Sequence, residues 1–133
     1  DNVSRPCIRN YAERGIQYED SWLDHIQQLM EERTLRGPKL RRQDYPLVLR
    51  KYFDDLFTIM GNCRKALKPR GHFLIVIGDS FLNGVYIPTD LLLARIGERL
   101  GFTVRSIDIL RSRRSGIIQT FKLRESIVHL QLC

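Results

Sequence analysis

The chain has little cysteine, and what it has is scattered. Cys7, Cys63 and Cys133 stand far apart among 133 residues, with no C-x-x-C pair and no paired histidine ligands, so neither a zinc site nor a disulfide framework is expected. His25, His72 and His129 share no ligand spacing either, and structural roles are expected for the latter two. No apolar run approaches the ~18 residues of a membrane span, and no charged-then-apolar leader opens the sequence. These absences lead us to expect a reduced, intracellular protein of the cytoplasm with no membrane partner. No serine or cysteine is accompanied by a base and an oxyanion donor, so no nucleophile is assigned.

Acidic residues are also in short supply: 15 Asp+Glu against 22 Lys+Arg leave a net charge of +7. Arginine dominates the basic clusters, which suits bidentate phosphate contacts, and the balance tilts toward a polyanionic partner. With 43% hydrophobic and 28% charged residues and no repeat, the composition is that of one ordinary globular domain.

Periodicity then sets the expected elements. Residues 19–33 repeat Trp22, Leu23, Ile26, Leu29 and Met30 at helical spacing. Asp20 or Ser21 is the expected cap, Gly37-Pro38 the stop, and Trp22 is expected in the core. A second helix is expected over 45–67, its apolar face carrying Leu49, Tyr52, Phe53, Leu56, Met60, Cys63 and Leu67, with Asp54 and Asp55 off it. Lys68-Pro69-Arg70-Gly71 reads as a turn in which glycine takes the positive φ. The unbroken apolar run 73–77 reads as a central strand covered on both faces. A connector (81–87), a third helix opening at Pro88, a strand around 102–112, a basic loop over 111–120 and a last strand complete the order. The first strand–helix–strand unit is expected to be a parallel crossover, and the last two strands to pair antiparallel. Residues 1–43 form an N-terminal loop, helix and basic connector in this scheme, and 44–133 an α/β domain.

From 52 to 132 the sequence resembles the C-terminal half of the amino-group DNA methyltransferases, the N-6 adenine and N-4 cytosine type. The matching pieces are CRKALKPRGHFLIVIGDS, GVYIPTDLLLARIGERLGF, ILRSRRSG and LRESIVHL. The resemblance implies part of a Rossmann-like, seven-stranded methyltransferase sheet: its fifth, sixth and seventh strands, parallel strands ending in an antiparallel hairpin with the last strand inserted. It also implies S-adenosylmethionine as methyl donor and a nucleic acid, DNA, as partner. Two hallmarks of the family are missing. There is no G-x-G loop to approach the cofactor, and no Pro-Pro pair of the kind that precedes the aromatic residue stacking on the flipped base. No catalytic residue is therefore assigned.

Asp79 and Ser80 follow the central strand, at the carboxyl end where open α/β sheets place ligands. They either line a substrate or cofactor pocket, with Asn83, or cap a loop. Arg111, Arg113, Arg114 and Lys122 either contact phosphates or form a solvated hairpin, with part of the charge in an ion pair near Arg124-Glu125. Arg36, Lys39, Arg41 and Arg42 are a second basic cluster, Arg41 and Arg42 being its nucleic-acid candidates. Two functions follow: a base-modifying methyltransferase or part of one, and a non-catalytic nucleic-acid-binding or oligomerising module. In either case a homo-oligomer or a second chain could complete the sheet.

Overall fold

The computed structural model describes Tyr11 and residues 14–36, 44–115 and 121–133; Arg36, Arg113, Arg114, Ser115 and Phe121 are described by backbone alone. Residues 1–10, the Gly37-Pro38 stop, the connector with Lys39, Arg41 and Arg42, and the tip of the expected basic loop lie outside the described residues. The elements are α1 (Ser21–Arg36), α2 (Tyr45–Ala66), β1 (His72–Gly78), β2 (Ser80–Leu82), β3 (Val85–Ile87), α3 (Thr89–Arg99), β4 (Phe102–Ser115) and β5 (Phe121–Leu132). They divide into two compact units, one up to Thr58 with Leu82–Val85, the other Ile59–Phe81 with Tyr86–Cys133.

In the first unit α1 starts where Asp20 Oδ1 accepts the Trp22 amide at 2.7 Å, an N-terminal cap. Leu23, Ile26 and Met30 are buried with Tyr11, Tyr18, Leu49, Phe53 and Leu56. Trp22 is 46% exposed, correcting its expected core position: the stripe narrows to Leu23, Ile26 and Met30, and the indole falls on its flank. Asp54 is buried rather than off the apolar face. Its carboxylate accepts Tyr11 Oη at 2.8 Å and the amides of Gln17 and Tyr18 at 2.9 Å each, so burial leaves it well satisfied. Arg50, equally buried, donates to Asp24 at 2.8 Å and to the Tyr18 carbonyl at 3.0 Å.

The second unit is a three-stranded sheet in the order β1-β5-β4 under α3. Both ladders are antiparallel, Leu74 facing His129 and Val104 facing Leu130. This corrects the expectation of parallel neighbouring strands. The crossover through α3 does leave β1 and β4 running the same way, but β5 occupies the slot between them and pairs antiparallel with each. Val128, Leu130 and Phe102 are buried beneath Leu92, Leu93 and Ile96 of α3. The helix can lie this close because Gly97 has no side chain: a Cβ there would meet Leu130 Cδ1 at 2.8 Å.

Several local expectations change. Strand β1 is covered on one face only, with Leu74 59% and Val76 62% exposed on the other, so the apolar run is not a two-faced central strand. In the 68–71 turn the positive φ, 63°, belongs to Arg70; Gly71 is needed because a Cβ would stand 2.8 Å from the Lys68 carbonyl oxygen. The expected connector after β1 is a hairpin, β2–β3. Its two turn residues, Asn83 (φ 52°) and Gly84 (φ 72°), take the left-handed conformation that a two-residue turn of matching twist requires. The expected basic loop is strand as far as Ser115. Extra residues in β4, Arg105 and Leu110, make bulges against β5. Among the described residues no helix is long and apolar enough to cross a membrane.

Candidate functional site

At the carboxyl end of β1 the second unit gathers a buried ion network. Asp79, the first residue past β1, and Asp90, in the first turn of α3, are 1% and 0% exposed. They share Arg124 of β5. Its guanidinium lies 3.3 Å from Asp79 Oδ2 and grips Asp90 with two bonds, Nε to Oδ2 at 2.8 Å and Nη2 to Oδ1 at 3.0 Å. Ser126 Oγ and the Leu91 amide also donate to Asp90, at 2.9 and 2.8 Å. Burial pushes the Asp90 carboxyl up, but these hydrogen bonds outweigh it and hold it below the usual carboxylate range. The Tyr86 hydroxyl donates to Asp79 Oδ2. Burial, then that hydrogen bond and the carboxylate's charge, push the phenol up to about 12. The Asp79 amide in turn donates to the Arg124 carbonyl at 3.0 Å.

Strand periodicity explains how one short motif serves two partners. Arg124 and Ser126 point to the same side of β5 and both reach Asp90, while Glu125 points to the other. Glu125 pairs with Arg111, Nε to Oε2 at 2.8 Å and Nη2 to Oε1 at 3.3 Å. The internal ion pair expected near Arg124-Glu125 is thus two pairs on opposite faces. Neither runs between those neighbours.

Strand β1 ends at the Gly78–Glu125 pairing, but β4 and β5 continue as a two-stranded ribbon through Ser112–Arg124, Arg113–Leu123, Arg114–Lys122 and Ser115–Phe121. Those four rungs are about 13 Å of strand. Arg113 and Arg114 sit on this ribbon by backbone, Lys122 is exposed on it, and Arg111, at its root, is the member already engaged by a carboxylate. Four of the sequence candidates therefore share one projecting element.

The others are dispersed. Ser80 opens β2 and is half-buried. Asn83 belongs to the first unit, where its amide donates to the Met30 carbonyl at 3.1 Å and to Thr34 Oγ1 at 2.8 Å. Arg41 and Arg42 lie outside the described residues. Sequence reasoning missed Tyr86, Asp90 and Ser126. The readable signal was a pair of fragments, T-D at a helix start and R-x-S in a strand, which only the fold brings together.

Among the described residues no three His, Cys, Asp or Glu side chains are placed to hold a metal ion. His72 and His129 bond to each other, Nδ1 to Nε2 at 2.8 Å, on the exposed sheet face, and Cys63 and Cys133 are free thiols. The chain supplies no G-x-G loop for S-adenosylmethionine, and Asp79, the carboxylate at the end of β1, is taken up by Tyr86 and Arg124.

No family model and no solved structure matches the chain. It is similar to two curated relatives, the Type II methyltransferase M.AvaI of Nostoc sp. (strain PCC 7120) and that of Anabaena variabilis. Each is 30% identical over 121 residues, 90% of this chain and 25% of the relative. The chain thus spans about a quarter of the length of the relatives it matches. That similarity supports a relationship to methyltransferases.

Proposed function

We propose that this chain is the nucleic-acid-engaging part of a methyltransferase that modifies an exocyclic amino group of a base in DNA. The observation that carries the reading is the place of β5, a last strand inserted antiparallel between two co-directional strands joined by a helix. The resemblance to the amino-group methyltransferases implies that arrangement, and the similarity to a Type II methyltransferase supports the methyltransferase part of the reading. The donor would be S-adenosylmethionine, held by residues other than those described, and the contribution of this chain is positioning. A two-stranded ribbon fits the major groove of a duplex, and Arg113, Arg114 and Lys122 would contact phosphates along it. Ser80, half-buried at the start of β2, would face the base being modified, while the buried Asp79 holds Arg124 behind it.

The test is binding of a duplex oligonucleotide over a range of salt. Each phosphate contact adds about 0.9 to the slope of log affinity against log salt, so changing Arg113, Arg114 and Lys122 together to alanine should flatten it by about 2–3 units. An unchanged slope removes the ribbon from the interface. Calorimetry with S-adenosylhomocysteine separates the alternatives: duplex binding without cofactor binding favours a non-catalytic binding module. A second reading, in which another chain or second copy adds to the sheet, is favoured by the open edge of β1 and its exposed Leu74 and Val76. Light scattering decides it.

A further inference from the structure

We propose that Tyr86 is a stacking platform for a nucleobase-type ring at the carboxyl end of β1, an inference that rests on the nucleic-acid reading above. The residue is 40% exposed, yet its position is fixed at both ends. The backbone is held in the β2–β3 hairpin. The hydroxyl is tied to Asp79, which is buried and bound to Arg124. A tyrosine has few torsions to lose, and here they are restrained before any ligand arrives, so a stacked ring would cost little ordering. A tyrosine phenol is neutral across the physiological range, so the ring offers an uncharged face to a π-system.

Location adds the chemistry. Arg124, which anchors the Tyr86–Asp79 pair, is itself the first β5 residue of the ribbon beyond β1, facing Ser112. An exposed aromatic face is therefore one carboxylate removed from the base of a basic element. Cationic groups that track a backbone, combined with an aromatic ring that takes a base, are how unstacked nucleotides are held without sequence preference. The same face would accept the adenine ring of a nucleoside cofactor, so the shared chemistry is a planar heteroaromatic ring.

Anisotropy with a labelled single-stranded oligonucleotide and calorimetry with S-adenosylhomocysteine, on the whole chain, distinguish the sources. Loss of one base stack corresponds to at least about a 5-fold drop in affinity. Tyr86→Ala should show that drop for the oligonucleotide with an unchanged salt slope, because no phosphate contact is lost. Tyr86→Phe keeps the ring but loses the tether to Asp79, so its affinity should fall between wild type and Tyr86→Ala. An oligonucleotide carrying 2-aminopurine should be quenched by wild type and Tyr86→Phe alike, a readout that holds even if the alanine variant is unstable. A drop confined to S-adenosylhomocysteine assigns the stacked ring to the cofactor. Salt-dependent oligonucleotide binding by wild type, with neither quenching nor a Tyr86→Ala effect on either probe, overturns this inference alone. Failure of wild type to bind either probe overturns it together with the reading beneath it.

Discussion

Replacing Arg124 with methionine removes the cation that two buried carboxylates share while keeping most of the side chain's apolar bulk. Breaking a buried ion pair from one side costs about 3–5 kcal/mol, because the remaining charge keeps its desolvation penalty and loses its partner. The Arg124 side chain is 32% exposed, so water recovers part of that, and about 3 kcal/mol is expected. Set against the 5–15 kcal/mol that typically holds a domain together, this is a large fraction. With a slope of about 1.5 kcal/mol per molar urea, the unfolding midpoint should fall by about 2 M. The pH dependence carries a sign. In the wild type, Asp90 sits below its ordinary value of 3.8; its contribution is present above that pH and is lost as pH falls through the depressed value. Without the guanidinium, burial is opposed only by Ser126 and the Leu91 amide, so protonation relieves the variant. The gap between the two proteins should then narrow as pH falls from about 7 to about 4. Adding Asp90→Asn to the variant should recover more than about 1 kcal/mol. A midpoint within about 0.3 M of wild type, or no recovery in the double variant, would refute the network as the organiser of this end of the sheet.

Gly97→Ala should destabilise by about 1–3 kcal/mol through overpacking against Leu130. Gly61→Ala, mid-helix with its nearest neighbour at 3.9 Å, should instead stabilise by about 0.5–1 kcal/mol; thermal melts that order the pair the other way contradict the close helix–sheet approach. Tyr86 stands above the ordinary tyrosine value of 10.0, at about 12, so its contribution to stability is present below pH 10.0 and is lost as pH rises through about 12. In an ultraviolet titration Tyr86→Phe should delete a late tyrosinate step; loss of a step near pH 10.0 would show the tether to Asp79 absent in solution.

The parts of this protein that could be read from one dimension are those set by neighbours in sequence. Both long helices fall within a few residues of their apolar stripes, and Asp20 caps α1 as its residue type suggests. Readings failed where a distant segment decided the outcome. The run at 73–77 is apolar enough for a two-faced strand, and nothing local says that one face stays open. Ser80–Leu82 and Val85–Ile87 are too short to show a period, so the hairpin reads in sequence only as a connector. Arginines at 111–115 suggest a loop by composition, but pairing with 121–125 holds them in a ladder. At the site, Arg124 stands out in the sequence, but its partner does not. Adjacent strand residues face opposite ways, and the carboxylate it reaches lies 34 positions earlier.

The central place of β5 in its sheet bears on the order in which the sheet can form. During synthesis α1, α2, β1, α3 and β4 all emerge before residues 121–132, and β1 and β4 have no hydrogen bonds to exchange with one another. Until β5 follows them, β1 and β4 are single strands with no partner in the sheet, a state open to capture by chaperones or by neighbouring chains. Adding β5 joins Val76 to Ile127 and Ile107 to Val128. Assembly of the sheet therefore waits on β5, and a ribosome stalled before Phe121 would hold β1 and β4 with no strand to join them.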